Sequence, residues 1–165
     1  MKKNYDEPIY KVKQAGNIAD EAIQSEIKNI LLSESFAVLS TQGDGQPFSS
    51  LITYACSEDF KKIIFATPLA TKKFDLISKC SKVSIMVDTR SSNPESINDI
   101  NAITISGDAL IAEDNQDKTL YLSLLVKTHP YLESFVNAPT TGIISVNVEQ
   151  YLYVRKFQEV IEWTP

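Results

Sequence analysis

Short apolar segments, several of them alternating with polar residues, dominate the chain and predict β-strands. The predicted strands cover residues 36–41, 46–56, 63–67, 82–88, 102–112, 141–148 and 151–163. Gly43-Asp44-Gly45 separates the first two and is a strong signal for a tight hairpin. Because a short hairpin joins antiparallel neighbours, the early strands should pair in antiparallel fashion.

Helical spacing occurs in only three segments. Ile23, Ile27, Ile30 and Leu31 fall on one face of the first helix, which Asn17 or Asp20 could cap. A second helix begins at the lysines after Thr71, and a third covers residues 120–126, before His129-Pro130 breaks it.

Many strands with few helices predict a mainly β fold, a small barrel with helices packed outside it. Strict strand–helix alternation is missing, so a doubly wound parallel sheet is disfavoured. The 165 residues suggest one domain, residues 1–165, with residues 1–17 as an N-terminal arm.

Composition narrows the function classes. A net charge of -5 argues against a broad nucleic-acid interface, which needs a basic face. No apolar run approaches the roughly 20 residues that cross a membrane, and the start has no apolar signal region, so a cytoplasmic location is expected. With only two cysteines, Cys56 and Cys80, and one histidine, a Cys/His zinc site is not expected. Both cysteines are expected to be reduced packing residues.

The most informative candidate site is Thr71-Lys72-Lys73, directly after the buried strand 63–67. A helix N-terminus carries partial positive charge, so two lysines there are unfavourable unless an anion lies between them and the free N–H groups. A phosphate suits that position. A solvated basic surface is the alternative.

Two more segments and two single residues are candidates. Arg90 and the hydroxyl and amide side chains after it, including Ser91 and Asn93, could close around phosphate oxygens, although such clusters are usually turns. The strand around Ser49–Tyr54 has small hydroxyl residues and would let a flat ring lie close to its backbone; an ordinary sheet surface is the alternative. His129 is expected to be a structural or surface histidine rather than a catalytic base, and Trp163 is expected to be either a core residue or an aromatic lid on a ligand. No GxGxxG, GxSxG or P-loop motif is present.

Together these segments resemble the pyridoxamine 5'-phosphate oxidase-like family, the FMN-binding split barrel. The resemblance runs from about residue 27 to residue 165. It is carried by Phe36–Thr41, Gly45–Leu51, Phe65–Thr67, Thr71–Lys73, Val83–Asn93, Lys127–Pro130, Phe135–Val136 and Phe157–Trp163.

The resemblance implies a six-stranded antiparallel split barrel that forms a homodimer with FMN at the subunit interface. It implies that Thr71, Lys72 and Lys73 hold the FMN phosphate. The other positions it brings to the cofactor are Ser50, Leu51, Ile52, Thr53, Ala66, Thr67, Arg90, Ser91, Asn93 and, more loosely, Trp163.

The C-terminal strand departs from the family pattern. True pyridoxamine phosphate oxidases have an Arg-x-His signature there, whereas this chain has Arg155-Lys156-Phe157. We therefore expect an FMN-dependent oxidoreductase with another substrate and a donor such as NAD(P)H. The alternative is a non-catalytic binder or carrier of flavin, haem or deazaflavin on the same barrel.

Overall fold

The computed structural model describes residues 12–14, 21–91, 99–113, 115–156 and 159–165. The strands are β1 (Val12–Gln14), β2 (Phe36–Gly43), β3 (Gln46–Thr53), β4 (Ala55–Cys56), β5 (Lys62–Pro68), β6 (Lys82–Asp88), β7 (Ala102–Ile111), β8 (Thr141–Arg155) and β9 (Glu159–Trp163). The helices are α1 (Glu21–Ser33), α2 (Lys72–Lys79), α3 (Gln116–Thr128), a 3-10 turn (Pro130–Leu132) and α4 (Glu133–Val136).

The strands form a single curved sheet in the order β1-β9-β8-β7-β6-β2-β3, and β5 joins it by pairing with β8. All the ladders are antiparallel except β1 with β9, which is parallel. The predicted mainly β split barrel with flanking helices is confirmed. It has seven strands of five residues or more and two short ones among the described residues, rather than six.

Strand β8 corrects the predicted C-terminal half. The sequence predicts two strands, 141–148 and 151–163, whereas residues 141–155 form one strand and the chain turns after it into β9. The polar stretch around Glu149 stays extended because β7 pairs along nearly all of β8, accommodating an irregularity between Ser106 and Gly107.

Two other elements differ from the predictions, and one prediction is not tested. The second strand ends at Thr53, before the buried Tyr54, and Ala55–Cys56 forms a separate short strand. Helix α3 is longer than predicted because Asn115 caps it, its side chain accepting a hydrogen bond from the backbone N–H of Lys118. The proposed caps of α1, Asn17 and Asp20, lie outside the described residues.

The core fills the barrel and the space beneath its helices. Ile23, Ile27 and Leu31 of α1 are buried against the barrel, as the helical spacing predicts. A second cluster lies under α3 and includes Tyr121, Leu125 and Ile143. Each such side chain contributes about 1.5–3 kcal/mol on full burial. Among the described residues, no helix is long and apolar enough to cross a membrane.

Candidate cofactor site

The turn between β5 and α2 is built by two threonines. Thr71 is the N-cap of α2, and its Oγ1 accepts a hydrogen bond from the N–H of Phe74 at 3.4 Å. The same hydroxyl donates to the Pro68 carbonyl at 2.9 Å, which uses its only proton. The buried Thr67 hydroxyl, 3.0 Å away, must therefore donate to Thr71. This network fixes the start of α2.

Strand β8 supports the turn from behind. Thr67 pairs with Gly142, and the N–H of Leu69 donates to the Thr140 carbonyl at 2.9 Å. A Cβ atom on Gly142 would lie 2.6 Å from Cε2 of Phe74, so only glycine lets α2 pack this closely on β8. The helix start is therefore held in place by tertiary contacts as well as by its cap.

The two lysines of the turn have different surroundings. Lys72 is exposed, and its Nζ lies 5.5 Å from the centroid of the Phe48 ring. Lys73 is half-buried, its Nζ donates to the Leu51 carbonyl at 3.3 Å, and burial lowers its pKa. Neither lysine pairs with a carboxylate of another described residue.

Strand β3 alternates its side chains beside the lysines. Leu51 is 63% exposed on the outer face, while Ile52 is buried and Thr53 is half-buried. Ser50 lies opposite Leu39, which is fully buried. The Ser50 Oγ is buried and has no hydrogen-bond partner among the described residues. Burying such a hydroxyl without a hydrogen-bond partner is unfavourable, unless a further group provides the missing hydrogen bond.

The predicted residues on β5 lie in two settings. Thr67 belongs to the cap network of the turn. Ala66 is half-buried and packs against the cluster under α3.

The turn after β6 holds a neutralised cation. The Nε of Arg90 lies 3.0 Å from Oδ1 of Asp88, and the Ser91 hydroxyl donates to Oε2 of Glu34 at 3.0 Å. Arg90 and Ser91 line a groove of about 130 Å³ with Leu51. The structure thus brings them to Leu51, but their hydrogen bonds are to carboxylates. Asn93 lies outside the described residues.

The remaining candidates take part in packing. Trp163 is 7% exposed and stacks on Tyr151 with a centroid distance of 4.8 Å, inside the barrel. His129 is buried, and its Nε2 lies 2.7 Å from the Tyr54 carbonyl. Because a carbonyl only accepts, Nε2 carries a proton, and Nδ1 lies 3.5 Å from the Tyr131 hydroxyl. Both cysteines are free thiols and half-buried, and burial raises the pKa of Cys56 to about 12.

The sequence does not predict which residues contact the side chains of Lys72 and Lys73. Phe48 under Lys72 and the Leu51 carbonyl at Lys73 are set by tertiary packing and have no local signal. The ion pair between Asp88 and Arg90 could have been predicted, because the carboxylate lies only two residues before the arginine.

Comparison with known proteins settles the family. The sequence model of the pyridoxamine 5'-phosphate oxidase family matches residues 23–155. The chain belongs to this family. No curated protein sequence matches it.

Solved structures of the pyridoxamine 5'-phosphate oxidase fold are similar at low identity. A heme-binding protein from Mycobacterium smegmatis has a TM-score of 0.78 at 14% identity, covering 89% of this chain and 60% of its own. A Clostridium acetobutylicum protein related to general stress protein 26 has a TM-score of 0.69 at 17% identity, covering 88% and 96%. HutZ, the heme storage protein of Vibrio cholerae, has a TM-score of 0.68 at 14% identity, covering 77% and 90%. These likenesses show the fold.

Proposed function

We propose that the chain binds FMN, holds the FMN phosphate at the start of α2, and works as an FMN-dependent oxidoreductase. The observation that carries the proposal is the free positive charge of Lys72 and Lys73 beside the unpaired N–H groups of a capped helix. The orphaned Ser50 Oγ near the Leu51 carbonyl supports it, because a bound group there would satisfy a buried hydroxyl.

In this proposal the flavin, when bound, supplies the hydride chemistry, and the chain supplies binding and orientation. The two ammonium groups neutralise the phosphate dianion, each charge-assisted bond contributing roughly 1.5–3 kcal/mol. The backbone of residues 50–53 would hold the flavin ring. NADH or NADPH is the proposed electron donor, and the cytoplasm is the proposed location.

The outer face of the sheet supports a homodimer in the same proposal. Phe36 on β2, Leu51 on β3 and Met86 on β6 are 55%, 63% and 36% exposed. Val38 pairs with both Leu51 and Met86, so these apolar side chains form one continuous patch. Exposed patches of this kind mark protein interfaces. Replacing Met86 with Glu should convert the dimer to a monomer in sedimentation velocity; an unchanged sedimentation coefficient would contradict this interface.

Pyridoxamine phosphate oxidation is not part of the proposal. Arg155, at the position of the family's substrate-binding signature, donates to Glu26 at 2.8 Å and to Glu159 at 2.9 Å. Both partners are carboxylates, so this guanidinium has its charge satisfied within the chain.

The test is a titration of the purified chain with FMN and with riboflavin, which lacks the phosphate. The wild type should prefer FMN. The double variant Lys72→Ala/Lys73→Ala should bind FMN more than about a hundredfold more weakly and lose the preference, since two charge-assisted bonds disappear.

A matched lysine pair provides the control. Lys61 and Lys62 lie at the start of β5, at the opposite end of the strand that leads into the turn. The variant Lys61→Ala/Lys62→Ala should bind FMN like the wild type. An equal loss in both double variants, or none in either, would overturn the phosphate assignment. Bleaching of bound FMN by NADH or NADPH under anaerobic conditions then separates an oxidoreductase from a carrier.

Haem binding is the second candidate, because two of the structurally similar proteins are a heme-binding protein and a heme storage protein. In this chain the single histidine, His129, donates its Nε2 proton to the Tyr54 carbonyl, so an imidazole ligand requires that contact to break. Titration with hemin tests this candidate: a Soret shift lost in His129→Ala would favour haem over flavin. A deazaflavin carrier would use the same lysines and is distinguished by the absorbance spectrum of the bound cofactor.

A further inference from the structure

A cavity of about 560 Å³ opens on the helical side of the barrel. It lies between the first turn of α3 and the segment that connects α4 to β8. Its volume is in the range of small-molecule sites. None of its lining residues belongs to the cofactor site described above.

The first turn of α3 offers backbone donors to this cavity. The Asn115 side chain accepts from the N–H of Lys118 at 3.1 Å, and the Asn115 carbonyl accepts from the N–H of Thr119 at 3.3 Å. The N–H groups of Gln116 and Asp117 are therefore left without an intrahelical partner. Free N–H groups at the start of a helix favour an anion.

Thr141 is an independent sign of a ligand. This residue opens β8, lines the cavity and is 7% exposed. Its hydroxyl makes no hydrogen bond with another residue that the structure describes. Because this hydroxyl has a proton and lone pairs that no described residue uses, a polar group in the cavity would gain a hydrogen bond by binding beside it.

The rest of the lining defines the class of ligand. Leu122, Val136, Ala138 and Pro139 give the cavity an apolar wall. Lys118 is the one charged residue among the described lining residues, and none of them is a carboxylate. Free backbone N–H donors and a hydroxyl beside an apolar wall suit a molecule with an anionic head and a hydrocarbon body.

We propose that this cavity binds a small organic carboxylate. The carboxylate lies between the free N–H groups of α3 and the Thr141 hydroxyl, and the hydrocarbon body packs on Leu122 and Val136. The site is separate from the lysines of α2, and its occupation does not depend on a flavin.

The test is a titration of the purified full chain with 4-fluorobenzoate, in which fluorine NMR measures the binding of the probe. Binding should saturate, and the neutral 4-fluorobenzyl alcohol should bind at least about tenfold more weakly, since it has no charge for the helix start. The isosteric Thr141→Val should weaken 4-fluorobenzoate binding about five- to tenfold, the effect of one hydrogen bond.

Two further variants make the result decisive. Thr119→Trp changes an exposed position at the cavity rim, should leave folding intact and should abolish binding by filling the space. Lys72→Ala/Lys73→Ala should bind the probe like the wild type. The proposal would be overturned if 4-fluorobenzoate binding does not saturate or if the alcohol binds equally well. It would also be overturned if Thr141→Val and Thr119→Trp bind the probe like the wild type, or if the lysine variant loses binding. None of these outcomes bears on the FMN titration.

Discussion

The turn between β5 and α2 and the turn after β6 both place cations at the end of a strand of the sheet, and they differ in what surrounds those cations. Lys72 and Lys73 have no carboxylate partner among the described residues, whereas Arg90 lies 3.0 Å from Asp88. An incoming phosphate meets uncompensated charge at the first turn and an existing ion pair at the second. A cation therefore indicates an anion site only when its neighbours leave its charge free.

Charge reversal should separate the two turns most clearly. Lys73→Glu should weaken FMN binding more than about a hundredfold, because a charge-assisted bond becomes a repulsion. Arg90→Glu should weaken it less than about threefold, because that exposed arginine is already paired. Quenching of flavin fluorescence measures both affinities. Equal losses would mean that Arg90 also reaches the phosphate.

Neutral variants should rank the two lysines of the α2 turn. Lys73→Met should weaken FMN binding about thirtyfold or more, because Lys73 is half-buried beside the Leu51 carbonyl. Lys72→Met should weaken it less, about tenfold, because the exposed charge of Lys72 is screened by solvent. The Lys72→Met effect should shrink further in high salt. The reverse ranking would place the phosphate nearer Phe48 than Leu51.

Matched threonines test whether helix capping and binding are linked. Thr71 caps α2, and Thr89, in the other turn, accepts a hydrogen bond from the N–H of Asn101 at 3.0 Å. Thr71→Val and Thr89→Val should each lower the free energy of unfolding by about 1 kcal/mol in urea. Only Thr71→Val should also weaken FMN binding, by about threefold, because it loosens the start of α2. Weakening in both would point to a general loss of stability.

The smallest expected effect is the uptake of a fraction of a proton per chain when FMN binds. Burial lowers the pKa of Lys73 in the free chain, and a phosphate dianion beside it raises that pKa again. At a pH of about 9 to 10, FMN binding should therefore be accompanied by proton uptake. Calorimetry in two buffers with different ionisation enthalpies measures the uptake, and Lys73→Met should remove it. Unchanged uptake in that variant would assign the proton to another group.

Local signals in the sequence predicted local structure well. The hairpin at Gly43-Asp44-Gly45 follows from residues that tolerate positive φ, and Asp44 and Gly45 have φ of 56° and 79°. The buried face of α1 follows from helical spacing. Strand β8 was wrongly divided because its continuity depends on pairing with β5, β7 and β9 rather than on its own polar pattern.

The same limit applies to the candidate site. The position of Lys72 and Lys73 after a buried strand was visible in the sequence. The contact of Lys73 with Leu51 joins residues 22 positions apart, and only the packing of α2 on β2, the strand paired with β3, creates it. The roles proposed for Ser50, Arg90 and Trp163 likewise depend on neighbours from distant segments, and FMN binding stays a prediction.

The pairing of β5 with the start of β8 sets an order of events during synthesis. The turn that begins α2 is supported by Thr140 and Gly142, which follow it by about seventy residues. Until the ribosome has made that segment, the Leu69 N–H lacks its hydrogen-bond partner and the Phe74 ring lacks its contact with Gly142. A cofactor that needs the turn can therefore bind only after residues 140–142 have been made, and a truncated product that ends before β8 would not compete for it.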